Sequence, residues 1–162
     1  MTMKEFKERK QDMAKITMLI GIPGSGKTTY AKKNLNGIYV SPDAIRKELY
    51  GDISIQGNPS EVFGLIESKI KEALNNGNNV VYDATNTTKF RSETIKEFRS
   101  YGASEINGVF LNTPFEICME RNLSRKDRSE PVPEEVMLRM FSALKENMPS
   151  ANEFDNYIEI KF

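Results

Sequence analysis

The stretch ITMLIGIPGSGKTTYAKKNL, residues 16–35, joins an apolar, β-rich run to a helix-forming run through GIPGSGKT at Gly21 to Thr28. That octet satisfies G-x-x-x-x-G-K-[ST], and a strand before it with a helix after it is the context that gives the spacing a physical meaning. Gly21, Gly24 and Gly26 let the backbone take conformations that a side chain would strain. Successive N–H groups can then converge on one phosphate at a helix N-terminus. Lys27 supplies a flexible cation for β- and γ-oxygens, and Thr28 a hydroxyl suited to Mg²⁺. ATP with Mg²⁺ is the expected ligand, contacted by Gly21, Pro23, Gly24, Ser25, Gly26, Lys27, Thr28 and Thr29.

Outward from the loop, five apolar runs alternate with helix-period segments: Ile16 to Ile20, Gly37 to Ser41, Asn79 to Asp83, Ile106 to Leu111 and Tyr157 to Phe162. Such alternation predicts an α/β fold, a parallel sheet covered by helices. Val62, Ile66, Ile70 and Leu74 repeat every four residues, with Ser60 as the expected cap and Gly77 as a stop signal. Thr113, Pro114 and Glu116 predict a capping box opening a helix that carries Cys118. The polar, proline-bounded SRKDRSEPVP, Ser124 to Pro133, reads as a mobile connection before the helical stripe of Val136, Met140 and Leu144.

Two further segments place reactive side chains at the carboxyl ends of strands, where α/β sheets bind ligands. In SPDAIRKEL, Ser41 caps a helix and Pro42 takes its first position, which puts Asp43 in the first turn and Arg46 on the same helix face. Asp43 is suited to accept the proton of an acceptor hydroxyl. Arg46 is suited to hold the Asp43 carboxylate or to grip an acceptor phosphate, since a guanidinium is a rigid multi-donor fork. NVVYDATN ends in Asp83, Thr85 and Asn86; Asp83 is placed to hold a Mg²⁺-bound water, and both Asp83 and Asn86 face the expected substrate crevice. Ala84 follows Asp83 where many ATP-driven machines carry a glutamate, so no base for activating water stands there. Arg121, Arg125 and Arg128 recur at intervals of four and three and are expected to converge as a clamp on the nucleotide phosphates.

Composition narrows the chemistry. The 162 residues carry 23 basic and 23 acidic side chains, so no overall field favours a long polyanion and nucleic-acid contact would have to be local. Histidine is absent, which removes histidine acid–base catalysis and histidine metal ligands and leaves carboxylates, lysine and arginine to act. The single cysteine, Cys118, in a mostly apolar helix, reads as a buried structural thiol and fits a reducing, cytoplasmic home. No apolar run reaches the roughly 20 residues of a membrane span, and the charged start, Met1 to Gln11, lacks the apolar stretch of a signal peptide. One domain over residues 1–162 is expected, with residues 1–14 as a loosely attached extension.

With GIPGSGKTT, Asp43-Ala44-Ile45-Arg46, the DATN strand end and Arg121-Asn122-Leu123-Ser124-Arg125 in hand, the chain resembles the kinase domain of phage and bacterial polynucleotide 5′-hydroxyl kinases, relatives of zeta-toxin-type P-loop kinases. The likeness runs from Ile16 to Met140. It implies a three-layer αβα sandwich of the P-loop NTPase type, with a five-stranded parallel sheet in the order 2-3-1-4-5 and an arginine-bearing lid at about residues 121–133. It also implies roles: Asp43 as general base, Arg46 on the 3′-phosphate of the terminal nucleotide, and Arg125 on the transferring phosphate, with Lys27 as the remaining catalytic group. No phosphatase domain follows the kinase-like region in this sequence. The expected function is an ATP-dependent kinase that transfers the γ-phosphate to the 5′-OH of a polynucleotide, with a small hydroxyl-bearing acceptor as the alternative. A third reading, a nucleotide-gated binding module, predicts no phosphorylated product, and oligomeric state is open.

Overall fold

A computed structural model of the chain describes residues 1–6 and 14–162. Residues 7–13 of the expected extension at residues 1–14 thus lie outside the described residues. Five strands, β1 (Lys15–Ile20), β2 (Ile38–Val40), β3 (Val80–Asp83), β4 (Glu105–Asn112) and β5 (Asn156–Lys161), form one sheet in the order β2-β3-β1-β4-β5. Every pairing is parallel, with Ile16 opposite both Val80 and Ile106. Helices α1 (Lys27–Asn34), α2 (Pro42–Tyr50), α3 (Pro59–Asn75), α4 (Arg91–Ser100), α5 (Phe115–Ser124) and α6 (Glu134–Glu146) make the crossovers.

The two-residue period of the strands sorts the core into two layers. Ile16, Met18 and Ile20 of β1, Val80 and Tyr82 of β3, and Ile106 and Phe110 of β4 face the cluster built with Val62, Ile66 and Ile70 of α3, Ile95 and Phe98 of α4, Cys118 and Met137. Leu19, Val81, Val109 and Leu111 point the other way, onto Ala31 of α1. Burial on both faces explains why the inner strands read as continuous apolar runs. Each aliphatic side chain of the α3 stripe is worth about 1.5–3 kcal/mol when fully buried, and Val62, Ile70 and Leu74 are completely so.

Local signals set the helix ends, and two differ from expectation. Ser41 caps α2 as its sequence implies, its hydroxyl accepting from the Ala44 N–H at 2.9 Å with Pro42 in the first turn. The cap of α3 is Asn58 and not Ser60: the Asn58 carboxamide oxygen accepts from the Ser60 N–H at 2.9 Å, and Pro59 takes the first helical position, where its missing N–H costs nothing. Gly77, at φ 72°, ends the same helix with its N–H on the Leu74 carbonyl. At α5 the expected capping box does not form, because the Thr113 hydroxyl turns away and donates to the Ser25 carbonyl at 2.8 Å. That diversion fastens the turn after β4 to the loop after β1.

Candidate active site

The loop between β1 and α1 is held from three sides. The Gly21 N–H donates to the Thr85 carbonyl at 3.0 Å, Thr113 holds Ser25, and Arg121 donates to the Gly24 carbonyl at 3.2 Å. Glycine is obligatory at two positions for different reasons. Gly26, at φ 98°, is the left-handed residue that turns the chain into α1. Gly24, at φ 83°, lies so close to α5 that a Cβ would stand 2.5 Å from the Cys118 carbonyl oxygen. Cys118 itself is buried, and burial pushes its thiol pKa up, in keeping with a structural thiol.

Within this frame the Ser25 hydroxyl is buried with no hydrogen-bond partner among the described residues. A polar atom left so inside a nest of backbone amides suits an anion at the N-terminus of α1, which fits a phosphate chain. The Lys27 ammonium donates to the Ile22 carbonyl at 3.2 Å. Its enclosure pushes the pKa down, opposed by the carboxylates of Asp83 and Asp43.

At the end of β3, Asp83 is 6% exposed, and its Oδ2 accepts from the Thr28 hydroxyl at 2.7 Å and from the Tyr39 phenol. A hydroxyl and a carboxylate already in contact form an all-oxygen donor pair of the kind that suits Mg²⁺, which takes few protein ligands beside substrate phosphates. No group of three or more His, Cys, Asp or Glu side chains that could hold a metal ion occurs among the described residues. Burial, then the Asp83 carboxylate, raises the Tyr39 pKa, so the phenol stays a donor. Asn86, at φ 50°, gives its amide N–H to the Leu19 carbonyl at 2.7 Å and braces the ends of β1 and β3.

The acceptor-side pair meets as its spacing predicts: an Arg46 guanidinium nitrogen lies 3.3 Å from Asp43. Arg46 Nε is buried and without a partner among the described residues. Asp43 also faces Arg125 at 3.8 Å. The three arginines do not form one row. Arg125 and Arg128 act electrostatically on Asp43, whereas Arg121 sits on the loop at Gly24 and over the Phe162 ring at 5.5 Å. Arg125 is fixed by both oxygens of Asp127, at 2.9 and 2.7 Å, an ion pair that raises its pKa. Burial lowers that of Arg128, whose Nε donates to the Glu130 carbonyl.

The connection from α5 to α6, expected to be mobile, is tied down at two points. Asn122, 1% exposed, donates to the Val132 carbonyl at 2.8 Å and accepts from the Val132 N–H at 3.0 Å. Farther out, the Ser54 hydroxyl donates to the Glu130 carbonyl and accepts from its N–H, both at 3.2 Å. Asp52 accepts from the Ser54 N–H at 2.8 Å, and hydrogen bonds from Ser129 and Ser54 hold its carboxyl down at about 2. Tyr39 and Ser54 were not singled out from sequence, whereas Asn122 stood without a role inside the Arg121-Asn122-Leu123-Ser124-Arg125 motif and Asp127 was legible as an ion-pair partner of the arginines. Tyr39 left a trace there, as the residue two before Ser41.

Among solved structures, the chain in the Pnkp1/Rnl/Hen1 RNA repair complex matches with a TM-score of 0.71 at 23% identity, covering 85% of this chain and 47% of that one. This chain therefore spans about half the length of that relative. A gluconokinase from Sinorhizobium meliloti 1021 matches with a TM-score of 0.57 at 17% identity, over 92% of this chain and 83% of that one. The AvrRxo1-ORF1:-ORF2 structure with ATP matches with a TM-score of 0.64 at 14% identity, over 88% and 54%. At these identities the likeness establishes the P-loop kinase fold. No curated protein matches the chain. A family model described as an AAA domain matches residues 16–147, which hold the loop and the first four strands, and the chain belongs to that family, AAA_33.

Proposed function

We propose that the chain is an ATP-dependent kinase that transfers the γ-phosphate to a hydroxyl, and that the acceptor is the 5′-OH of a polynucleotide. One observation carries the reading: Asp43 stands at 3.3 Å from Arg46 and 3.8 Å from Arg125, within electrostatic reach of Lys27. A carboxylate held between Arg46 and Arg125 beside a phosphate loop is positioned to take the proton of an acceptor hydroxyl. Lys27 and the loop amides hold the donor phosphates. Arg125, presented by Asp127, meets the charge that spreads over the transferring group. Arg46, with its unpartnered Nε, grips a phosphate on the acceptor. Thr28 and Asp83 would hold Mg²⁺, which when bound neutralises phosphate charge. The connection at residues 125–133 serves as a lid that keeps water from the phosphoryl group.

The RNA repair complex among structures of the same fold supports the nucleic-acid acceptor. A second reading, a small-molecule kinase, has its own support in the zero net charge and in the gluconokinase likeness. Transfer of ³²P from γ-labelled ATP onto 5′-OH oligonucleotides, against nucleosides and gluconate, separates the two. Labelled oligonucleotide that disappears with Asp43→Asn, at a loss of about 10²- to 10⁴-fold and with ATP binding retained, is the expected result. Label on small acceptors alone would overturn the nucleic-acid assignment, and no label on any acceptor would overturn the kinase itself. No described helix is long and apolar enough to cross a membrane.

A further inference from the structure

The Tyr39 phenol is the second donor to Asp83 Oδ2, the oxygen that also takes the Thr28 hydroxyl. Tyr39 belongs to the edge strand β2, opposite Val81, so its side chain reaches across the strand ends to a carboxylate on the neighbouring strand. Two residues on stands Ser41, whose hydroxyl caps α2. Tyr39 therefore joins the carboxylate that takes the Thr28 hydroxyl to the edge strand leading into the helix that carries Asp43. Its ring is half-buried, with the Lys32 ammonium 5.9 Å from the ring centre.

We propose that Tyr39 is a positioning residue for the cation site, fixing the Asp83 carboxylate through Oδ2 so that Thr28 and Asp83 present their remaining lone pairs to one divalent cation. The physical reason lies in the geometry of a short side chain. Asp83 has a single carboxylate that can rotate about its last bond. Among the described residues its tether besides Tyr39 is the Thr28 hydroxyl, the group the cation itself would recruit. A donor that the cation does not compete for is needed to keep the carboxylate in place once Thr28 turns, and Tyr39 is the residue so placed. Hydrogen-bonded partners of metal-holding carboxylates commonly set affinity by about 10- to 100-fold.

This inference rests on the nucleotide-site reading of the loop, and the experiment separates the two. Mn²⁺ binding in the presence of ATP is measured by the electron paramagnetic resonance of free Mn²⁺, for the full chain and for Tyr39→Phe, with the affinity for metal-free ATP measured in parallel. Tyr39→Phe keeps the ring and its packing, and the melting temperature of the metal-free variant checks that it folds. The expected result is Mn²⁺ affinity weakened about tenfold, with metal-free ATP affinity and melting temperature unchanged. Equal Mn²⁺ affinity in the two proteins would overturn this inference alone. A variant weakened equally for metal-free ATP would also overturn it, because the phenol would then be shaping the loop and not the cation site. Absence of any ATP-dependent Mn²⁺ binding by the unmodified chain would overturn the nucleotide-site reading and this inference with it.

Discussion

Asn122→Ala probes what holds the arginine-bearing connection in place. Asn122 is buried and spends its whole carboxamide on one residue, taking the Val132 N–H at 3.0 Å and giving an N–H to the Val132 carbonyl at 2.8 Å. Removing it strands two partly buried backbone groups, each costing about 1–3 kcal/mol when left without a partner. Because Val132 keeps some exposure, the low end applies, about 2 kcal/mol for the pair. The other tethers, Ser54 to Glu130 and Ser129 to Asp52 at 3.5 Å, are on the exposed side, so the loss should appear as local opening and not as unfolding of the sheet. An opening made about 2 kcal/mol easier speeds amide exchange roughly 30-fold. Hydrogen–deuterium exchange followed across residues 128–132 reads this directly, with the β1 and β4 amides as the unchanged reference. Slower turnover at undiminished ATP affinity should accompany it, because Arg125 and Arg128 lose their station near Asp43. Exchange at those amides within threefold of the unsubstituted chain would refute the reasoning, as would a uniform rise across the sheet.

Three more outcomes follow from the same contacts. Burial lowers the pKa of Lys27 from 10.5, so between its folded value and 10.5 the unfolded chain binds the extra proton and stability rises with pH. Lys27→Met should flatten that rise in thermal unfolding at alkaline pH and abolish the ATP-induced thermal shift. Arg91 is 4% exposed by side chain and gives its guanidinium to Glu153, to the Asn86 carbonyl and to the Asn147 carbonyl. Arg91→Met should cost about 3–5 kcal/mol in denaturant unfolding, with part recovered by adding Glu153→Gln. Ser54→Ala and Asn122→Ala release the same short segment, at Glu130 and Val132, so their effects on exchange should be non-additive by at least about 0.5 kcal/mol; strict additivity would show that the two tethers act on separate units.

Legibility in the sequence tracked the range of the interaction. The loop, the Asp43–Arg46 pair and the Ser41 cap are all decided within a few residues, by the sterics of glycine, by helical spacing and by a hydroxyl reaching its own helix. The α3 cap was misassigned although its signal was local, because Asn58, Pro59 and Ser60 offer two cap residues in a row and the proline, fit for the first helical position, is what selects Asn58. Thr113 could not be read correctly at all. Its hydroxyl bonds Ser25, 88 residues away in sequence, and that choice depends on β1 and β4 lying side by side. The arginines illustrate the same limit, since a helical interval placed them near one another but could not say that Asp127 would take Arg125 while the Gly24 carbonyl took Arg121.

The strand order explains why these long-range contacts fall where they do. With β1 between β3 and β4, the loop after β1 receives a tether from each neighbour, Thr85 after β3 and Thr113 after β4, and its backbone is fixed before any ligand arrives. With β2 at the edge beside β3, Tyr39 reaches Asp83 from outside while Ser41, two residues on, starts the helix carrying Asp43 and Arg46. The loop after that helix then supplies Asp52 and Ser54 to the connection that carries Arg125 and Arg128. A single stretch, Tyr39 to Ser54, is in this way bonded to Asp83 at one end and to the arginine segment at the other. Under the proposed function, stiffening of that stretch by an acceptor on Asp43 and Arg46 would be felt at both ends, as suits a transferase that must not spend its phosphoryl group on water.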